Sequence, residues 1–181
     1  GIVRRISAPI RLQTTAYGMS SHTGTTMMEE RKDALVAISP IITFVNEKAI
    51  EFNKSSDRPL VATVSTVHMQ PNVMNVIPGE VQFGIDIRSS DDQLKEKFAS
   101  MVIEECKKLG TQHDIEVEVK EIVNEKSVIL DQTVQSKLSA ICDDLSISYI
   151  HMNSGAGHDV MNIAKKWPAG LLFMPSVDGI S

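Results

Sequence analysis

From Gly79 to Arg88 the chain alternates strictly, with Val81, Phe83, Ile85 and Ile87 on one side and Gln82, Asp86 and Arg88 on the other. A period of two places successive side chains on opposite faces of an extended backbone, so this stretch predicts a strand with one apolar face. Its neighbours fill in a repeated unit. Ile10–Gly18 reads as a strand, and Glu29–Lys54 carries Ala34, Leu35, Ile38, Ile41, Ile42, Val45, Ala49 and Phe52 at helical spacing. Pro40 falls inside that run and predicts a kink or a division of its first turns from the rest. Leu60–Met69, rich in Val and Thr, predicts a strand paired with Gly79–Arg88 through the Asn72–Pro78 loop. Asp91 caps a second helix carrying Leu94, Phe98, Val102 and Leu109 and ended by Gly110, and Ile115–Ile122 alternates again.

The resulting order is βαββαβ. It predicts a four-stranded antiparallel sheet with both helices on one face, the ferredoxin-like arrangement, spanning residues 10–122. From Asp131 the pattern changes to a helix reaching about Leu145, a glycine-containing loop, a helix from about Asp159 to Trp167, and an apolar strand Gly170–Met174 between Pro168 and Pro175. This βα style suits a parallel sheet, so residues 123–181 are expected to form part of a second domain to which residues 1–9 contribute a linker or strand. The class is mixed α/β (α+β). The first residue is glycine and the last follows an apolar run, so both ends are expected to be cut from a longer chain.

The 181 residues carry a formal charge of −5, and no Lys/Arg cluster offers a basic face, which disfavours nucleic acid as a partner. No apolar stretch approaches the roughly 20 residues that cross a bilayer, and no leader precedes the fold, so a soluble cytoplasmic protein with no membrane partner is expected. Cys106 and Cys142 lack a second cysteine or histidine at metal-ligand spacing and read as reduced, buried thiols.

Three polar islands interrupt this apolar framework: Ser21–Thr26, Pro71–Gly79 and Asn153–Asp159. In the first, His22 sits after a strand in a loop of small and hydroxylated residues, where an imidazole could donate to a developing oxyanion. A loop histidine taken alone is more often simply exposed. Asn75 and Arg88 flank the Ile77–Pro78–Gly79 turn. Arginine matches a carboxylate with its planar fork and asparagine can both donate and accept, although Arg88 could equally be a solvated strand end paired with Asp86 or Asp91. In the third, Gly155 and Gly157 bracket a turn that feeds a helix directly before His158 and Asp159, an anion-binding corner or a plain capped turn.

Taken together and in order, the islands resemble the N-carbamoyl-L-amino-acid hydrolase and allantoate amidohydrolase family, the ureido-acid branch of the dinuclear-metal aminoacylase and carboxypeptidase G superfamily. Its His-Ala-Gly-Thr-Thr-Pro-Met loop and Arg-x-Asp-Ala helix are matched by His22-Thr23-Gly24-Thr25-Thr26-Met27-Met28 and Arg31-Lys32-Asp33-Ala34, with Thr23 and Met27 as departures. Asn-Val-Ile-Pro-Gly followed by Asp-x-Arg is matched at Asn75–Gly79 and Asp86–Arg88. Ser-Gly-Ala-Gly-His-Asp is matched at Ser154–Asp159, and Pro175-Ser176 with Gly179-Ile180-Ser181 resembles a Pro-Ser-x-x-Gly-Ile-Ser-His run that stops here before its histidine.

The resemblance implies a lid and dimerisation domain at 10–122 and part of a zinc-peptidase-like catalytic domain at 123–181. It implies that His22 reaches across a homodimer interface to polarise the scissile carbonyl, that Asn75 and Arg88 hold the substrate carboxylate from the lid, and that His158 contacts substrate from the catalytic domain. The reaction implied is metal-dependent hydrolysis of the C–N amide bond of an N-carbamoyl amino acid, allantoate or a related ureido acid. Two divalent ions, zinc or manganese, would activate the water. Their ligands in the family lie outside these residues, so this chain is expected to bind no metal and to be inactive by itself. Two other readings stand beside this one: a dimeric small-ligand-binding module without catalysis, and a dipeptidase or aminoacylase of the same superfamily.

Overall fold

The computed structural model describes residues 1–54 and 56–176. A short strand β1 (Ile2–Ile6) leads into β2 (Ala8–Tyr17). After a single 3-10 turn at Met28–Glu30 come α1 (Ala34–Ile38), α2 (Pro40–Asn53), β3 (Leu60–Gln70), β4 (Glu80–Ser89), α3 (Asp92–Gln112) and β5 (Glu116–Asn124). The remaining elements are β6 (Val128–Ile129), α4 (Gln132–Asp144), β7 (His151–Ser154) and α5 (Val160–Ala164). The chain folds as two units. One comprises Pro9–Arg88 and Gln93–Glu125; the other comprises Gly1–Ala8, Ser89–Asp92 and the residues from Lys126 onward.

In the first unit four strands form one sheet in the order β3-β4-β2-β5. β2 and β5 run antiparallel, with Ile10 opposite Asn124 and Tyr17 opposite Glu116. The alternation of β4 is realised in full: Val81, Phe83, Ile85 and Ile87 are all buried. Against them pack Ile41, Val45 and Ala49 of α2 and Phe98, Val102, Cys106 and Leu109 of α3. The Phe52 and Phe98 rings meet edge to face with centroids 5.3 Å apart. Each such buried aliphatic or aromatic side chain contributes about 1.5–3 kcal/mol relative to exposure. One charge enters this interior: Lys95 is fully buried, and its Nζ donates to the Glu125 carbonyl at 2.6 Å.

The first helix departs from its expected start. Glu29–Asp33 does not join it, because the Asp33 carboxylate accepts from Leu35 N at 2.9 Å and Val36 N at 3.1 Å and so caps the helix at Ala34. Pro40 divides rather than kinks the run, standing as the first residue of α2, where its missing N–H costs nothing. Gly110 does not end α3, which continues to Gln112. Its missing side chain instead makes room for β5, since a Cβ there would stand 2.8 Å from Val117 Cγ2.

In the second unit the sheet order is β6-β1-β7, with β1 parallel to β7 and antiparallel to β6. Asp131 caps α4 by accepting from Val134 N at 2.8 Å. The buried core is Val3, Ile6, Leu130 and Ala169. Gly170–Met174 forms only the bridge Leu172–Ile2 rather than a strand. The reason is that one edge of β1 is shared: Leu171 O and Gly1 O serve its first half, while Leu130 N occupies Arg4 O further along. β7 lies where the sequence suggested a loop, and α5 is shorter than the expected Asp159–Trp167 helix. Gly179-Ile180-Ser181 lies outside the described residues.

Candidate functional site

His22 and Asn75 are brought together by backbone pairing. His22 forms a β-bridge with Val76, Thr23 N donates to Asn75 O at 3.1 Å, and Ile77 N donates to Ser21 O at 2.8 Å. Two glycines permit this convergence. A Cβ on Gly79 would collide with Ser20 Oγ and stand 2.8 Å from Ser20 N, and one on Gly18 would run into the Lys32 carbonyl. The loop from β3 to β4 is thereby laid directly against the segment that follows β2. Beside His22, the buried Ser21 hydroxyl has no partner among the described residues. His22 is itself exposed, and its Nδ1 accepts a hydrogen bond from Gly24 N at 3.0 Å.

Arg88 lies elsewhere. β4 is extended from Glu80 to Ser89, and at roughly 3.3 Å per residue Arg88 stands about 26 Å along the strand from the end that carries Asn75. There it pairs with Asp86, Nε to Oδ2 at 2.6 Å, and Arg11 Nε approaches the other carboxylate oxygen at 2.7 Å. Burial pushes the Asp86 carboxyl up, but the hydrogen bonds and charges of Arg88 and Arg11 outweigh it and hold the group below its ordinary value. Arg88 is thus a partly exposed arginine near the strand's end and paired with Asp86, one of the two partners its alternative reading offered. Arg11 did not stand out in the sequence, since nothing at a separation of 75 residues ties it to Asp86.

His158 belongs to the second unit. Ser154, buried to 2% exposure, places its hydroxyl oxygen 2.8 Å from the Ala156 carbonyl and 3.0 Å from His158 Nε2. The Ser154 hydroxyl is thus hydrogen-bonded to both Ala156 and the His158 ring, with the direction of the second bond set by the ring's tautomer. The ring rests against Phe173 with centroids 5.2 Å apart. Together with Ser154, Gly155 and Ala156 it borders an open cavity of about 870 Å³. Asp159 begins α5 but makes no side-chain cap.

The structure therefore joins His22 to Asn75 and sets Arg88 at the far end of the same sheet. Among the described residues no three His, Cys, Asp or Glu side chains come together as a metal site.

The described residues form a mixed α/β fold with two sheets, as in solved structures of carbamoylase-family amidases. No protein-family model matches the chain. It is 35% identical over its whole length to an allantoate amidohydrolase of Bacillus subtilis and 31% to an N-carbamoyl-L-amino-acid amidohydrolase of Paenarthrobacter aurescens, covering 43% of each. The crystal structure of a hydantoinase/carbamoylase-family amidase from Burkholderia vietnamiensis superposes with a TM-score of 0.88 at 28% identity, over 99% of this chain and 42% of that one. The chain is homologous to the allantoate and N-carbamoyl-L-amino-acid amidohydrolases, and it spans less than half the length of the relatives it matches.

Proposed function

We propose that this chain is the lid and part of the catalytic domain of a metal-dependent amidohydrolase that cleaves the C–N amide bond of an N-carbamoyl amino acid, allantoate or a related ureido acid. The observation that carries the reading is the similarity along all 181 residues; His22, Asn75, Arg88 and His158 stand in the stretches whose sequence resembles the family's motifs. The strand order β3-β4-β2-β5, with helices inserted after β2 and β4, supports a ferredoxin-like lid. Two divalent ions, zinc or manganese, supply the activated water in this reading. Their ligands are sought beyond the described residues, and the chain by itself is taken to be inactive. No helix among the described residues is long and apolar enough to cross a membrane.

The separation of Arg88 from Asn75 shapes the site. A ureido acid is far shorter than the length of β4, so no single lid offers it His22, Asn75 and Arg88 together. A homodimer resolves this if His22 and Asn75 of one copy meet Arg88 of the other. The donor at His22 then polarises the scissile carbonyl, Asn75 and Arg88 hold the substrate carboxylate from the two copies, and His158 contacts the substrate from the catalytic domain. The exposed edge strand β3, with Val61 and Val67 uncovered, supplies an association surface.

Turnover by the whole protein tests the reading. Ammonia release from N-carbamoyl amino acids or allantoate is expected, with little cleavage of dipeptides. A strong preference for dipeptides would move the protein to the dipeptidase or aminoacylase reading, and binding without turnover would favour the ligand-binding module. Mixing His22→Ala and Arg88→Ala proteins should regain part of the activity that each has lost, because mixed dimers restore one intact site. No recovery on mixing, with dimers present, rules out the shared site.

A further inference from the structure

His22 is not free to choose which of its nitrogens carries the proton. The backbone N–H of Gly24 can only donate, and it points at Nδ1 from 3.0 Å. A neutral imidazole that accepts at Nδ1 carries its proton on Nε2 and presents a donor outward. The approach is close: a Cβ on Gly24 would stand 3.2 Å from His22 Cε1 and 3.4 Å from Nδ1, so the ring would have to shift by a few tenths of an ångström.

The segment bearing that N–H is held by one side chain. Arg31 Nη2 donates to the Thr23 carbonyl at 2.7 Å and to the Thr26 carbonyl at 3.1 Å, and its Nε donates to Thr26 O at 3.2 Å. These two carbonyls flank Gly24 on either side. Thr26 closes the loop from within, with N at 3.2 Å and Oγ1 at 2.9 Å from His22 O. The backbone next to Arg31 is anchored in turn, since Met19 N donates to Lys32 O at 2.8 Å and Ala34 N to Pro78 O at 3.1 Å. A guanidinium is suited to this task because its rigid fork can hold two carbonyls at once.

We propose that Arg31 is a positioning residue: its fork holds the Thr23–Thr26 loop so that Gly24 N–H locks His22 in the Nε2–H tautomer. A donor at Nε2 can attract a carbonyl oxygen as negative charge develops on it, whereas the other tautomer would turn a lone pair towards that oxygen. The use of the lock in catalysis rests on the amidohydrolase reading. The lock itself does not.

The test is histidine-ring NMR on the whole protein labelled with ¹⁵N-histidine, with His22 assigned from the signals lost in His22→Gln. The expected spectrum has His22 in one tautomer, Nδ1 bare and Nε2 protonated. In Arg31→Ala, provided the amide spectrum of β2 and β4 is retained, that single signature should give way to a mixture. Arg31→Lys keeps the charge without the fork and should show the same loss; it carries the test if the alanine variant does not fold. A wild-type ring that is mixed or protonated on Nδ1 overturns the proposal, as does a folded Arg31 variant that keeps the single tautomer. Turnover is measured separately. An active enzyme with a mixed His22 tautomer sinks the lock alone, and an inactive protein with a locked ring sinks the enzymatic reading alone.

Discussion

The two units of this chain bury their apolar residues to very different extents. In the unit built on β3-β4-β2-β5, two helices and one sheet face enclose a continuous interior from Ile10 to Leu109, with Phe83 and Phe98 at its centre. In the other, Ile2, Val3, Ile6, Ala8, Leu130 and Ala169 are the buried apolar residues among those described, while Leu145, Ile150, Trp167 and Met174 are each more than 60% exposed. A sheet with one covered face and two packed helices is a complete layered solution; three strands and a few short helices are not. Both units have regular elements, but the first packs a far larger set of buried apolar side chains around them than the second does among the described residues.

The sharpest way to break this contrast is to cut into each unit in turn. Phe83→Ala should cost about 3–5 kcal/mol, as for other buried aromatic truncations, while Trp167→Ala should stay within about 0.5 kcal/mol because the ring is largely exposed. Urea denaturation of the two variants measures both. An equal loss for Trp167→Ala would mean that the exposed apolar surface is covered in solution.

An intermediate effect is expected at the Arg88–Asp86–Arg11 cluster. The folded-state pKa of Asp86 is depressed, so its contribution to stability is present above the unfolded carboxyl value near ~3.9 and is lost as pH falls through the folded value. Asp86→Asn should therefore melt below wild type at pH 7, with the difference shrinking as the pH is lowered towards 3. A gap in Tm that is constant with pH would show that the substitution acts by packing and not by charge.

The smallest effect concerns the two thiols. Burial pushes Cys106 up to about 11, against a weak opposing hydrogen bond from Thr14, whereas Cys142 on α4 is only partly buried. At pH 8 a thiol reagent should modify Cys142 first and reach Cys106 only on unfolding. Equal rates would mean that the better-packed unit opens as readily as the other.

What could be read from the residues follows the same division. The alternation of Val81, Phe83, Ile85 and Ile87 was legible because a strand with one fully buried face must repeat every second residue. The start of the first helix was not, because Glu29–Asp33 has acceptable helix composition and only the Asp33 cap decides where the helix begins. β7 was invisible: four residues, His151–Ser154, are too few to show a period, and parallel pairing with β1 depends on residues far away in sequence. Of the site, the pairing of His22 with Val76 could not be foreseen from spacing, because it depends on Gly18 and Gly79 admitting a close approach. The role of Arg31 was hidden for a related reason, since its partners are backbone carbonyls that carry no signature in the sequence.

β2 and β5 lie side by side in the sheet, and Glu125 N donates to Pro9 O at 3.0 Å where one begins and the other ends. The two outer ends of this module are therefore neighbours, as they are in domains inserted into a loop of a host, with one further crossing between them at Ser89–Asp92. A module held in this way can be lengthened or exchanged in evolution while its outer ends stay where they are.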